Sequence, residues 1–129
     1  MAEDRWKKIW EDLKPQIGSF AKKAGDAITD LAKTLGKESV KLAKIAGLKA
    51  EILSLEGDKR EYLRRLGEEI YKGYKEGRDL TKEEIQKFIE EIEKIEKSID
   101  EKQEEIKKIA EEEKLEPEDV EKIPPSQDE

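Results

Sequence analysis

From residue 82 onward, large apolar side chains recur at alternating spacings of three and four. Ile85, Phe88, Ile92, Ile95, Ile99, Lys102, Ile106 and Ile109 follow this rule without a break. That is the period of a coiled-coil seam carrying one polar substitution. Upstream, Ile45, Leu48, Ile52, Leu55, Lys59, Tyr62, Leu66 and Ile70 do nearly the same. Between the two runs lies GYKEGRDLTKEE, in which Gly73 and Gly77 are stop signals and Thr81 with Glu84 forms a capping box. Two seams of equal length with a short loop between them predict an antiparallel helical hairpin over residues 37–114, with its loop at about 73–81. Folding at that loop pairs residues whose numbers sum to about 154, so Leu66 meets Phe88, Leu55 meets Ile99 and Leu48 meets Ile106. Lys59 and Lys102 interrupt the seam. They are read as lysines whose stems cover apolar surface while the amines reach water, the alternative being a polar layer that fixes register.

Ahead of the hairpin, Trp6, Ile9, Trp10 and Leu13 share one helical face, and Pro15 then breaks or kinks the helix. From Phe20 to Ile52 the chain repeats every eleven residues as FAKKAGDAITD, LAKTLGKESVK and LAKIAGLKAEI. Eleven residues over three turns return to one face. Phe20, Leu31 and Leu42 therefore form a line, edged by Gly25, Gly36 and Gly47. The repeat supports two readings. A turn near Gly36 would fold residues 6–20 back past 54–68, setting Trp10 and Leu13 near Leu63 and Gly67 and Phe20 near Leu53. The unbroken phase of the repeat argues instead for one helix running through Gly36. The first is preferred, which makes the chain an all-α protein: a long antiparallel hairpin with an N-terminal amphipathic helix, residues 1–36, folded back into a three-helix bundle. Residues 115–129 read as a short helical turn after Pro117 and a disordered acidic tail, because Ile123-Pro-Pro-Ser-Gln-Asp-Glu129 is polar and proline-rich.

Composition narrows the chemistry. Charged residues make up 47% of 129 positions and the apolar set only 34%, so any core is a stripe rather than a thick layer. The chain has no Cys and no His, which removes disulfides, imidazole or thiolate metal sites and the Cys- or His-based nucleophilic arrangements. Carboxylate-bridged metal sites in bundles also ordinarily draw on histidine. No catalytic residue, metal ligand or cofactor is therefore expected, nor a small-molecule substrate. Asn is absent too, and Lys and Glu dominate, as in proteins of hot environments. Charge is uneven: residues 1–50 hold 11 Lys/Arg and 7 Asp/Glu, residues 51–129 hold 16 and 27. The basic front suits an anionic surface or an acidic partner, while a net charge of -7 argues against nucleic acid. No apolar run approaches the ~20 residues of a membrane span and no secretory leader is evident, so the expected location is the cytoplasm, with peripheral membrane attachment as the alternative.

The units FAKKAG, LAKTLG and LAKIAG resemble the Lys-x-x-Gly eleven-residue repeats of synucleins, exchangeable apolipoproteins and late-embryogenesis-abundant proteins. The likeness covers residues 20–52 and implies reversible lipid association for the front. The hairpin is similar to those of small uncharacterised bacterial helical proteins. Two functional expectations result. One is a non-enzymatic scaffold that binds a protein or itself through the face bearing Trp6, Trp10, Leu13, Phe20, Gly25, Leu31, Gly36 and Gly47. The other is a peripheral binder of anionic membranes through the Trp-bearing front. The hairpin seam, Leu48, Ile52, Leu55, Leu66, Phe88, Ile92, Ile95, Ile99 and Ile106, is assigned to structure.

Overall fold

The computed structural model describes residues 2–13 and 24–126, with side chains at 4–11 and 28–126. Among the described residues there are five α-helices and no strand: α1 (Ala2–Leu13), α2 (Ala24–Leu35), α3 (Ser39–Lys75), α4 (Lys82–Glu112) and α5 (Pro117–Lys122). The two long helices, α3 and α4, pair as the antiparallel hairpin the seams predict. Two ion pairs across it report the register: Lys59 to Glu96 at 2.9 Å and Lys102 to Glu51 at 2.7 Å, with numbers summing to 155 and 153. Both seam lysines keep about a third of their side-chain surface or less, 27% and 30%. Their stems lie on the seam and their amines reach a glutamate of the facing helix. Both lysines thus lie at the seam edge with their stems on it, and their cross-helix pairs are also compatible with the register-fixing role.

The helix ends are built alike. At Gly36 (φ 68°) the Lys37 amide donates to the Ala32 carbonyl at 2.9 Å and the Gly36 amide to the Lys33 carbonyl at 3.3 Å. That double bond around a left-handed residue is the Schellman stop. The chain therefore turns at Gly36, and the reading of one helix through residue 36 is overturned. The phase of the repeat survives the turn, but a glycine with positive φ ends the helix whatever the pattern beyond it. Lys114 (φ 58°) closes α4 the same way, its successor Leu115 donating to the Ala110 carbonyl at 2.8 Å. At the hairpin loop the Arg78 amide bonds the Gly73 carbonyl at 2.7 Å, and the Arg78 carbonyl oxygen occupies the space that a Cβ on residue 73 would need. Only glycine fits there. Helix α4 then starts with the expected reciprocal cap: the Thr81 amide donates to the Glu84 carboxylate at 2.8 Å, and the Glu84 amide to the Thr81 hydroxyl at 3.1 Å.

The protein divides into two compact units, Ser54–Asp100 and the described residues on either side of it. Ser54–Asp100 is formed by α3 and α4 alone. Ile92 and Ile99 are buried there, while Leu55, Leu66, Phe88 and Ile95 are half-buried. Ile70, read as a seam residue, is instead 46% exposed. The third helix expected over Leu63 and Gly67 is not part of this unit: Leu63 is 47% exposed, and a Cβ on Gly67 would meet nothing within 4 Å. The other unit draws its core from every element that enters it. Trp6 and Ile9 come from α1, Ile28 and Ala32 from α2, Leu42, Ile45, Leu48 and Ile52 from α3, and Ile106, Ile109 and Ala110 from α4. Val120, in the expected short helical turn, and Ile123, from the segment expected to be disordered, are fully buried, and Pro124 and Pro125 are buried with them. The Ser126 amide bonds the Ala46 carbonyl at 2.9 Å. Residues 115–126 are thus a packed wedge, which corrects the expected disorder as far as residue 126. Two prolines prevent a helix, but they lose little entropy on packing and Ile123 carries apolar surface between them and α5.

Ile99 tests the hairpin seam within its own unit. It is 5% exposed. Ile99→Ala should lower unfolding free energy by about 2–5 kcal/mol in urea titration, as truncating a buried isoleucine does; a change below ~0.5 kcal/mol would place the side chain outside the packed seam.

Candidate interaction surfaces

Among the described residues, Lys49 is a charged side chain that is only 1% exposed. It sits on α3 in the third eleven-residue unit, one position after the buried Leu48. Its Nζ donates to the Val120 carbonyl at 2.5 Å and the Ile123 carbonyl at 2.6 Å, with the Glu121 carbonyl at 3.5 Å. These oxygens belong to the last turn of α5 and its cap, where a helix leaves carbonyls without a full intrahelical set of partners; the Val120 carbonyl also accepts the Ile123 amide at 3.1 Å. Lys49 therefore caps α5 from another helix and ties the wedge down. Burial pushes its amine down to about 7, and the nearby Glu121 carboxylate opposes that only in part. A neutral amine still carries two N–H donors, one for each of the two short bonds.

The wedge has a second anchor. The Arg5 guanidinium of α1 bonds the Glu118 carboxylate, Nε to Oε2 at 2.9 Å, and reaches Glu116 at 3.1 Å. It holds Glu118 below the usual carboxylate range. Helix α1 packs against α5. Trp6 is 7% exposed, and Trp10 stacks on it with ring centroids 5.6 Å apart and planes 25° apart. The pair lines a hollow with Gln103, Glu104 and Lys107 of α4. Leu13 ends α1, but its side chain lies outside the described residues, as does Phe20. Gly25 falls within α2 and its surroundings are likewise not described. Leu31 is half-buried, Gly36 is in the exposed turn, and Gly47 is half-buried with nothing within 4 Å of an added Cβ. The glycines thus form no single line, because the turn at Gly36 interrupts it.

A further surface, of which the sequence reading named only Leu63 and Gly67, lies on Ser54–Asp100. One side of the hairpin there is an open groove of about 610 Å³, lined by Tyr62, Leu80 and Phe88 and rimmed by Arg65, Glu69, Glu84, Lys87 and Glu91. Arg65 lies over the Tyr62 ring at 5.6 Å. Elsewhere on α3, Leu63, Ile70, Tyr71 and Tyr74 are 47%, 46%, 66% and 78% exposed. They recur at helical spacing with Gly67 among them. Leu63 could be recognised from the sequence as lying off the seam; Tyr71 and Tyr74 were hidden because a tyrosine near a loop carries no periodic signal of its own. Comparisons with protein-family models, curated proteins and solved structures find no match for the chain.

The Lys49 cap has a pH signature. Because its amine is lowered from 10.5 to about 7 in the folded protein, the unfolded chain binds a proton between those pH values that the folded chain does not. Stability should therefore rise with pH across that window and level off below about 7. The rise amounts to on the order of 5 kcal/mol at about 1.4 kcal/mol per pH unit. Lys49→Met should lose this slope, and it should be less stable than the parent at pH 9–10 because the Val120 and Ile123 carbonyls lose the bonds from the amine. Denaturant titrations of both proteins from pH 6 to pH 10 check it; parallel curves would mean that Lys49 titrates as a solvent-exposed lysine does.

Proposed function

We propose that the protein is a non-enzymatic helical scaffold, which acts by presenting its α3–α4 hairpin to a protein partner or to another copy of itself. The observation that carries this reading is the exposed row Leu63, Ile70, Tyr71 and Tyr74 on a unit made of only two helices. Large apolar and tyrosine side chains at helical spacing are the material of interface centres. The chemistry points the same way, since the chain contains no His or Cys and its buried amine is spent on backbone carbonyls. Binding to anionic membranes through the tryptophan front draws less support. Trp6 is buried, Trp10 is stacked on it, and Arg5 is engaged with Glu116 and Glu118. Among the described residues no helix is long and apolar enough to cross a membrane.

Two measurements test the reading. Cross-linking of the full chain in a cell extract should give adducts that disappear when Leu63→Glu and Tyr74→Glu are combined; an unchanged pattern would remove the hairpin surface from the function. Tryptophan emission should be blue-shifted in the free protein and indifferent to vesicles of phosphatidylserine and phosphatidylcholine. A vesicle-dependent shift that salt reverses would favour the membrane front instead, because lysine attraction to such lipid is screened over about 8–10 Å.

A further inference from the structure

The side of the hairpin away from the Tyr62–Phe88 groove is complementary to itself. The groove gathers Tyr62, Arg65 and Glu69 from α3 with Glu84, Lys87 and Glu91 from α4, and the Lys59–Glu96 pair closes the other edge. Helical spacing then assigns Arg60, Leu63, Gly67, Ile70 and Tyr74 of α3 to that other edge, together with Lys82, Ile85, Ile89, Glu93 and Glu96 of α4. Its middle is apolar: Leu63 and Ile70 are nearly half exposed and Ile85 and Ile89 are half-buried. At Gly67 there is no side chain and nothing stands within 4 Å of where one would begin. Another helix can approach closely there.

The order of residues along this face is that of a two-fold interface. By the hairpin register Gly67 and Ile89 stand at about the same level. On α3, Arg60 and Tyr74 lie seven positions before and after Gly67, and Leu63 and Ile70 lie four before and three after. On α4, Lys82 and Glu96 lie seven positions before and after Ile89. A two-fold axis through Gly67 and Ile89, perpendicular to the helices, carries each member of a pair onto the other. Leu63 then meets Ile70 of the second copy, Arg60 meets the ring of its Tyr74, and Lys82 meets its Glu96. Each of these contacts forms twice, which is the defining property of a closed isologous interface. A cation placed opposite a carboxylate and another opposite an aromatic ring, both at equal distances from one centre, give a charge complementarity that a second copy satisfies with no further requirement. We infer that this face binds the same face of a second copy of the chain, joining two hairpins into a four-helix bundle. The inference rests on the scaffold reading above and names its partner.

Light scattering and sedimentation equilibrium on the full chain test it. The expected mass is twice the 14.9 kDa of one chain, falling toward one chain on dilution. Combining Leu63→Glu with Ile70→Glu should give a monomer with unchanged helical circular dichroism, because both side chains already face water in part. Lys82→Glu and Glu96→Lys should each weaken the dimer roughly tenfold by setting like charges opposite one another. An equimolar mixture of those two variants should regain the parental affinity, because each supplies the charge the other lacks. Glu96→Lys also breaks the pair with Lys59, but that loss lies within one chain and mixing does not repair it. A parent that is monomeric at every concentration overturns the proposal, as does a dimer indifferent to both kinds of variant or a mixture no tighter than its components. If the parent is monomeric yet its adducts with other proteins, or its binding to phosphatidylserine vesicles, vanish with Leu63→Glu and Ile70→Glu, the second copy falls. Loss of the protein adducts alone would leave the scaffold reading standing with a different occupant.

Discussion

One stripe of side chains along α3 and α4 sets the terms for everything else in this protein. With apolar residues at 34% of positions against 47% charged, each helix has enough hydrophobic surface for one partner and little over. Within Ser54–Asp100 the result is a pair of helices with Ile92 and Ile99 buried and most other seam residues only half covered. A two-stranded seam excludes water from one side of each residue, so the burial per side chain is smaller than in a bundle. The lysines at 59 and 102 fit this economy. Their stems add methylene groups to the seam and their amines meet Glu96 and Glu51 at the rim, where exposed ion pairs contribute about 0–1 kcal/mol. Such pairs do little for stability but disfavour other registers, which would set these lysines against lysines or isoleucines.

Beyond Ser54–Asp100, the core is thickened by elements brought in from both ends of the chain. The wedge of residues 115–126 supplies Leu115, Val120, Ile123 and three prolines, and its short helix is held by its own first-turn cap and by side chains from outside. Six residues are too few for an isolated helix. Its first turn is held by the Glu116 amide bonding the Asp119 carboxylate at 3.0 Å, and its acids are gripped by Arg5. Its last turn is held by Lys49. Burying an amine is costly unless its donors are used, and here they meet backbone carbonyls at the end of α5, that of Val120 also accepting the Ile123 amide. The lysine and the helix end each solve the other's desolvation problem, which is why a charged residue type can occupy the centre of a stripe of leucine and isoleucine.

The hairpin was legible in the sequence because its signals are local and redundant. Spacing fixed the seams, Gly73 and Gly77 fixed the stop, and Thr81 with Glu84 fixed the restart. The wedge was not legible, because it depends on contacts between residues more than seventy positions apart. In sequence, Lys49 resembles the solvent-facing lysines of the repeat, and nothing local distinguishes it from Lys44, which is exposed. Ile123-Pro-Pro reads as tail because proline precludes helix and strand, although packing requires neither. The glycines misled for a related reason. Gly36 and Gly47 occupy equivalent repeat positions, yet one ends a helix with positive φ and the other sits inside a helix. Their successors make the difference. Lys37 closes the turn after Gly36 by bonding Ala32, whereas Leu48 and Lys49, next after Gly47, are buried and hold the helix in place.

The same shortage of apolar surface gives meaning to the exposed row on α3. A hairpin that leaves Leu63, Ile70 and Tyr74 in water on one edge carries a hydration cost that a third and fourth helix would relieve. Selection for solubility would ordinarily replace such residues with the Lys and Glu that fill most of this chain. Their presence beside a glycine, in a sequence otherwise so heavily charged, is the basis of the proposal that this surface is covered by a partner. The mixed charges at its ends, Arg60 and Glu96 away from the loop and Lys82 beside it, favour an occupant with the reverse order of charge, and the chain turned end over end about Gly67 has that order. A hairpin too thin to be very stable by itself would thus gain its missing core layers from an identical neighbour, by the same seam chemistry that pairs α3 with α4.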